Sequence, residues 1–375
     1  MHIAVDALLL KNQNTGTGFY THRLLKAIAE LSASHQFTVF MDASYQCAES
    51  LCAPHVRIIK TPFRNQTHRV LWEQTSFLWR LQREAYDALF CPFFIMPIGT
   101  TLPTVVTVHD MFHKAVPETI ALSRRWYRNA LMNASLNRAA QIIAVSEFTK
   151  QDILRFHAIA PERISVIYEA ADDHFGAPLE KDRMARLRQR YAIAHDDFFL
   201  SVGTIEARKN LSQAIDALHL LGRDGVYPNL VVAGGTGNAE QELKISIERL
   251  GLAPQVQFIG YVDTEDLPAL YQASCGLIFP SLYEGFGLPL VEAMAAGTPI
   301  IASNRTAHPE ILADAGLLFN STDELALQLK QMWKDPAMRE TYIKKGRERA
   351  KAFSWTAAAE QTIAVIEKAV ADARA

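Results

Sequence analysis

Phe279-Pro280-Ser281-Leu282-Tyr283-Glu284-Gly285-Phe286-Gly287-Leu288-Pro289-Leu290-Val291-Glu292-Ala293-Met294-Ala295-Ala296-Gly297-Thr298-Pro299 reads as a strand end, a glycine-bearing loop and a short helix in succession. Pro289 suits the first helical turn, where its missing N–H has no partner to lose. Gly297 suits a left-handed cap just past the last turn, and Pro299 prevents continuation. The helix is therefore about 9 residues, roughly 13 Å long. Its N-terminus carries the positive end of the helix dipole, the natural seat of a phosphate. Gly285 and Gly287 would let the backbone approach such an anion closely. Glu284 has the wrong charge to hold phosphate itself but the right one to accept from hydroxyls beside it. Glu292, further along the helix, suits a ribose diol. The plain alternative is a solvated loop glutamate and a surface helix glutamate.

The same alternation extends outward over the chain. Short Val- and Ile-rich runs occur at Ile3–Val5, Thr38–Met41, Val56–Ile59, Ala88–Cys91, Thr104–Val108, Ile142–Val145 and Ser165–Tyr168. A second series comprises Phe198–Val202, Leu230–Ala233, Val256–Ile259, Gly276–Phe279, Pro299–Ala302 and Leu317–Phe319. They lack in–out alternation, as strands of a parallel sheet buried on both faces do. Helical stretches lie between them, among them Gly18–Ser32, Ser123–Asn137, Glu180–Arg190, Leu211–Leu221 and Leu288–Ala296. Alternating strand and helix implies doubly wound α/β architecture. Thirteen strands exceed one comfortable sheet, and the series pauses between Asp172 and Asp197. The expectation is two Rossmann-like domains facing each other across a cleft: 1–172, 173–352, and a final helix in 353–375 that packs back on the first. Ligands in such sheets sit outside the carboxyl ends of the strands.

Composition removes several function classes. The 375 residues are 49% hydrophobic and 21% charged, with 38 Lys and Arg against 40 Asp and Glu, for a net charge of −2. A nucleic-acid binder would carry a basic excess, so nucleic acid is excluded as main partner. Collagen, coiled coil and disordered chain are excluded by the same figures. Cys47, Cys52, Cys91 and Cys275 have no metal-ligand spacing and read as reduced thiols. The opening Met1-His2-Ile3-Ala4-Val5-Asp6 is unlike a secretory signal, and a cytoplasmic setting is expected. The uncharged stretch Ala88–Val108 is long enough to span a bilayer, but Pro92, Pro97 and Pro103 break it. It reads as two buried strands and a loop.

The glutamate segment resembles the Glu-x7-Glu signature of retaining GT-B glycosyltransferases of family 4, and the resemblance covers nearly the whole chain. Gly16-Thr17-Gly18 resembles the glycine loop after the family's first strand, and Thr107-Val108-His109-Asp110 the segment carrying its sugar-contacting histidine. Val145–Lys150 and Val166-Ile167-Tyr168 resemble segments that end the first domain. Val202-Gly203-Thr204 through Arg208-Lys209-Asn210 resembles the diphosphate-binding stretch that opens the second.

The resemblance implies roles. Lys209 and Arg208 would neutralise the diphosphate as its bond to the sugar breaks, and Glu284 would hold the sugar hydroxyls. Gly285, Phe286, Gly287 and Leu288 would supply backbone contacts. Glu292 would take the ribose, Tyr261 and Val262 would lie near the base, and His109 would meet the transferred sugar. Gly16, Gly18 and Gly203 complete the donor-site set. The plainer reading of Arg208-Lys209 is a solvated helix start capped by Asn210, and that of His109 a structural histidine paired with Asp110. Two departures stand out. Thr204 occupies a place where many relatives have Arg, and Arg305-Thr306-Ala307-His308-Pro309-Glu310 lacks the usual glycine pair.

No Asp-x-Asp occurs, so no metal site and no cofactor are expected. The resemblance implies a nucleotide-diphosphate sugar as donor substrate. The reading is a retaining, metal-independent hexosyltransferase, best matched to GDP-mannose, acting on a glycan or lipid-linked saccharide in polysaccharide or lipopolysaccharide assembly. The alternatives are a nucleotide-sugar 2-epimerase of the same architecture and a non-catalytic glycosyltransferase-like partner protein. Arg64, His68, Arg69, Trp72, Trp79, Arg80 and Arg83 read either as a face for an anionic membrane or as a core-packing helix. Trp72 and Trp79, seven apart, would share one helix face. Arg124-Arg125-Trp126-Tyr127-Arg128 reads the same two ways.

Overall fold

The computed structural model describes residues 1–10, 16–31, 34–117, 122–178, 180 and 182–375. The chain divides into two units, Met1–Glu169 with Ser354–Ala375, and Ala170–Phe353. The divisions thus fall at 169/170 and 353/354, where the sequence reading has 172/173 and 352/353.

In the first unit, β1 (His2–Ala7), β2 (Gln36–Asp42), β3 (Val56–Thr61), β4 (Ala88–Cys91), β5 (Thr104–Val108), β6 (Gln141–Ala144) and β7 (Ile164–Val166) form one sheet. Its order is β3-β2-β1-β4-β5-β6-β7, and neighbours pair in parallel. In the second unit, β8 (Phe199–Val202), β9 (Leu230–Ala233), β10 (Val256–Gly260), β11 (Gly276–Phe279), β12 (Ile300–Ser303) and β13 (Leu317–Phe319) follow the order β10-β9-β8-β11-β12-β13. These pairs are parallel too. Each apolar run of the sequence coincides with a strand. The final run ending the first unit is shorter than read: β7 stops at Val166, after which Ile167 N–H still donates to Ala144 at 2.9 Å.

Why these runs become strands is visible in their burial. All residues of β4, β5, β6, β9 and β11 are buried. A fully buried Val, Ile or Leu side chain contributes about 1.5–3 kcal/mol relative to exposure. The uncharged stretch 88–108 is accordingly β4, a loop and β5. Among the described residues no helix is long and apolar enough to cross a membrane.

The helix Trp355–Arg374 belongs to the first unit's core. Ser354 Oγ accepts from Ala357 N–H at 3.3 Å and caps its start. Ala359, Ile366 and Ala369 then share a core with Ile3, Val5 and Leu24. Trp355 meets Tyr20 edge-on at 5.8 Å.

The tryptophan segment differs from the sequence reading. The helix Gln66–Trp72 passes through a π turn, Glu73–Phe77, into Leu78–Arg83, so seven residues no longer make two turns. Trp72 stacks on Phe77 at 5.5 Å, whereas Trp79 is 53% exposed beneath Arg83. Arg69, read as part of a basic face, is buried instead, with Nη1 2.8 Å from Glu73 Oε2. The side chains of Arg124, Trp126 and Tyr127 lie outside the described residues, as does that of Cys47. Cys91 and Cys275 are free thiols.

Candidate active site

In the second sheet the chain runs from β8 outward to β10, then returns to β11 on the other side of β8. Strand order therefore reverses between β8 and β11, and loops leaving their carboxyl ends border a crevice. The loop after β8 carries Gly203 and the 3-10 turn Ala207–Lys209; the loop after β11 carries Glu284. Leu282 N–H donates to the Arg208 carbonyl at 2.8 Å and stitches the two together.

This brings the expected charges into contact. Lys209 Nζ lies 2.6 Å from Glu284 Oε1, and Arg208 Nη1 lies 3.2 Å from Glu284 Oε2. The Lys209 and Glu284 side chains are only 13% and 12% exposed. Burial pushes the Glu284 carboxyl up, but the Lys209 and Arg208 charges and the lysine hydrogen bond outweigh it, leaving it at about 2. Glu284 is thus a carboxylate at neutral pH, an acceptor only. Burial pulls the Lys209 ammonium below the ordinary lysine value, while the Glu284 charge draws it back up. The plainer reading of a solvated helix start does not hold. Asn210 is not a cap by its side chain: it sits in the left-handed region at φ 52° and donates to Gln213 Oε1 at 2.7 Å.

The helix after the glutamate loop spans Leu288–Ala296, begins with Pro289 in its first turn and ends at Gly297 with φ 76°. Gly287 holds φ 103°, which an L side chain rarely adopts, and this bend aims the chain into the helix. Gly285, Phe286 and Gly287 are buried, with the Phe286 ring edge-on to Phe353 at 5.8 Å. Glu284 N–H donates to Thr306 Oγ1 at 3.3 Å, so the loop after β12 also braces the glutamate.

Glu292 faces a different environment. Its Oε2 accepts from Tyr271 O–H at 2.8 Å. Burial raises its carboxyl to about 7, against the pull of that bond and of the His174 and Lys209 charges. Two glutamates eight residues apart are therefore driven in opposite directions, one by adjacent cations and the other by burial. Tyr261 is 46% exposed just after Gly260, whereas Val262 is buried.

The sequence reading missed one device. Gly234-Gly235-Thr236-Gly237 follows β9 and supports the cation loop from behind. Ile205 N–H donates to the Gly235 carbonyl at 3.1 Å, and Ala207 N–H to Asn238 Oδ1 at 3.1 Å. A Cβ at Gly234 would stand 1.9 Å from the Gly203 carbonyl oxygen, and one at Gly237 2.1 Å from that of Ile205. Three glycines in four residues after a buried strand were the available signal. Tyr271 had none, because no short motif marks it.

In the first unit, strand order reverses between β1 and β4. Gly16 opens the helix Gly16–Leu31 that follows β1; Gly16 is exposed and Gly18 buried. A small cavity there is lined by Asp6, Leu10, Thr17, Thr21 and Phe93, among others. His109, after β5, has Nδ1 3.0 Å from Glu169 Oε1 and Nε2 3.1 Å from the Pro92 carbonyl oxygen. It does not pair with Asp110, which takes Arg128 at 3.4 Å instead. Among the described residues no group of three or more His, Cys, Asp or Glu is arranged to hold a metal ion.

Two parallel sheets of seven and six strands, the second with a charged crevice at its reversal point, define a GT-B architecture of two Rossmann-like domains. The profile "Glycosyltransferase Family 4" matches residues 14–175 and "Glycosyl transferases group 1" residues 184–349. The O-antigen chain mannosyltransferase B of Escherichia coli is 31% identical over 371 residues, covering 94% of this chain and 96% of its own. Sucrose-phosphate synthase from Thermosynechococcus elongatus superposes with a TM-score of 0.79 at 22% identity, over 99% of this chain and 100% of its own. Anabaena HepE in complex with UDP-glucose gives 0.77 at 19% identity, over 98% and 100%. The chain belongs to the group 1, family 4 glycosyltransferases.

Proposed function

We propose that this protein transfers a hexose, mannose from GDP-mannose, to a growing glycan or lipid-linked saccharide of the O-antigen or lipopolysaccharide kind. The observation that carries the reading is the buried Glu284 carboxylate held between Lys209 and Arg208 at the β8/β11 reversal. The likeness to an O-antigen chain mannosyltransferase supports the choice of sugar and acceptor.

In this reading the donor diphosphate takes the two cations, and Glu284 turns to accept from sugar hydroxyls. Gly203 and the backbone of Gly285, Phe286, Gly287 and Leu288 line the phosphates. Glu292 binds the ribose, and the Tyr261–Val262 loop lies by the base. As the bond from the anomeric carbon to the phosphate oxygen breaks, negative charge grows on the diphosphate. Fixed cations stabilise that charge, usually the largest catalytic contribution. The first unit holds the acceptor, and its Gly16, Gly18 and His109 belong with the residues that take the donor sugar. Nothing in the donor-site set suits a nucleophile on the sugar's far face, so substitution is on the near face with retention. The acceptor proton passes to the departing phosphate oxygen, and no divalent ion is required.

A thermal-shift panel of GDP-, UDP- and ADP-sugars tests the donor. A ligand at 100 times its dissociation constant stabilises by about 2.7 kcal/mol, and GDP-mannose is expected to give the largest shift. The product should be the α-mannoside by proton NMR, formed equally with chelator present. A β product, or an absolute need for a divalent ion, overturns those parts. Release of a free epimerised sugar without acceptor would instead establish the epimerase. Peripheral membrane contact is proposed for the face bearing Leu71 (60% exposed) and Trp79. Absence of co-flotation with anionic vesicles at low salt removes that part.

A further inference from the structure

His308 opens the short helix His308–Leu312 after β12, and its side chain is fully buried. One side of the ring is fixed. Nδ1 lies 3.0 Å from the Ser303 carbonyl oxygen and 3.0 Å from Ser303 Oγ. A carbonyl can only accept, and the Ser303 hydroxyl gives its own proton to the Ser281 carbonyl at 2.6 Å. Nδ1 therefore carries the ring proton. Burial pushes the ring down to about 4, against the upward pull of the Glu284 charge and the Ser303 carbonyl. At neutral pH the imidazole is uncharged, and Nε2 is a bare acceptor. That nitrogen is buried with no hydrogen-bond partner. Such an orphan lowers the stability of the state that leaves it unpaired and favours any state that supplies it a donor.

The surroundings indicate which state. The His308 ring packs on Phe279 with centroids 5.1 Å apart, and Lys209 Nζ sits over the same Phe279 ring, 5.1 Å from its centroid. The charges of Lys209 and Glu284 both act on the imidazole, and the imidazole acts on Glu284 in turn. Ser303 ties His308 to Ser281, three residues before Glu284. Glu284 Oε1 lies 2.6 Å from the lysine Nζ. An ammonium has three donors, so when the glutamate turns to a sugar the lysine can give one to the diphosphate and still has one for a further acceptor.

We propose that His308 is a positioning residue for Lys209: when the donor sugar draws Glu284 away, Nε2 accepts a hydrogen bond from the lysine and holds it under the diphosphate. This rests on the donor-site reading above. A neutral imidazole suits the task, since an imidazolium would repel the lysine and compete for Glu284.

The test compares three variants in GDP-mannose turnover and thermal melting. His308→Asn keeps a donor at the Nδ1 position but has nothing at Nε2; His308→Gln carries an amide oxygen out to Nε2. His308→Leu removes both and the orphan nitrogen with them. The expected result is a kcat lower by about tenfold in the Asn and Leu variants, the worth of one hydrogen bond, with donor KM little changed. The Gln variant should recover most of the loss, and the Leu variant should melt no lower than the native protein. Recovery by Gln alone separates positioning of the lysine from mere packing on Phe279. An Asn variant with native kcat, or Gln and Asn variants equally impaired, overturns the assignment to His308 alone. A native chain that consumes no nucleotide sugar overturns the donor-site reading and this assignment with it.

Discussion

The two units reverse strand order in the same way, at β1/β4 and at β8/β11, yet Asp6 and Glu73 of the first and Glu284 of the second are shifted in opposite directions. In the first unit, burial raises Asp6 to about 6 and Glu73 to about 8, although Arg69 pulls both down. The single guanidinium is shared and, for Glu73, opposed by the Asp6 charge. In the second unit Glu284 meets both Lys209 and Arg208, the latter shared with Glu206 at 2.8 Å, and falls to about 2. Topology decides where a ligand crevice can form; the count of charges on the loops decides what chemistry it supports. The second crevice brings two cations, Lys209 and Arg208, against one carboxylate, Glu284.

The strongest way to break this contrast is to remove its charges. Lys209→Met or Glu284→Gln should lower kcat by about 10²- to 10³-fold with the fold intact by circular dichroism, the usual loss for a preorganised electrostatic group. Donor consumption within threefold of native would move the site elsewhere.

The opposed glutamates give a pH test of similar size. The folded Glu284 value of about 2 lies below the ordinary 4.5, so its contribution is fully present above pH 4.5 and is lost as pH falls towards 2. About 3 kcal/mol of native stability, relative to Glu284→Gln, should vanish across that window. Glu292 works in reverse. Its folded value of about 7 lies above 4.5, so the folded state binds the extra proton and native stability falls between pH 4.5 and 7. Relative to Glu292→Gln that fall should also be about 3 kcal/mol. Urea melts at intervals of one pH unit read both, and parallel curves for native and variant would refute the assignment.

Gly234→Ala tests the brace behind the cations. Its Cβ would meet the Gly203 carbonyl at 1.9 Å, so the backbone must shift, at a cost of about 2 kcal/mol together with a lower kcat. Gly235→Ala, whose Cβ would meet nothing within 4 Å, is the control and should melt as native. The smallest effect is expected in the first unit. Glu169→Gln keeps the shape beside His109 but removes the charge, and should cost about 1 kcal/mol by thermal melting. A loss as large as that of Glu284→Gln would erase the contrast between the crevices.

Much of this molecule is written locally in its chain. Apolar runs without alternation specify parallel strands buried on both faces, and Pro289, Gly287 and Gly297 specify where one helix starts and stops. These signals act within a few residues, through sterics and unpaired backbone groups, so the sequence alone determined two doubly wound sheets and the glutamate loop. The resemblance to a sugar-transferring family was legible for the same reason, since its motifs are contiguous.

The partners were not. Arg208 and Glu284 are 76 residues apart, and they meet because crossovers lay β8 beside β11. Tyr271 against Glu292, Glu169 against His109 and Ser303 against Ser281 are likewise decided by which element lands next to which. A helix that switched to a π turn separated two tryptophans that a regular helix would align. The sequence by itself determined which charged groups exist and on which loops. Only the tertiary structure decided which are buried together, and burial with or without a counter-charge is what sets their protonation and hence their use.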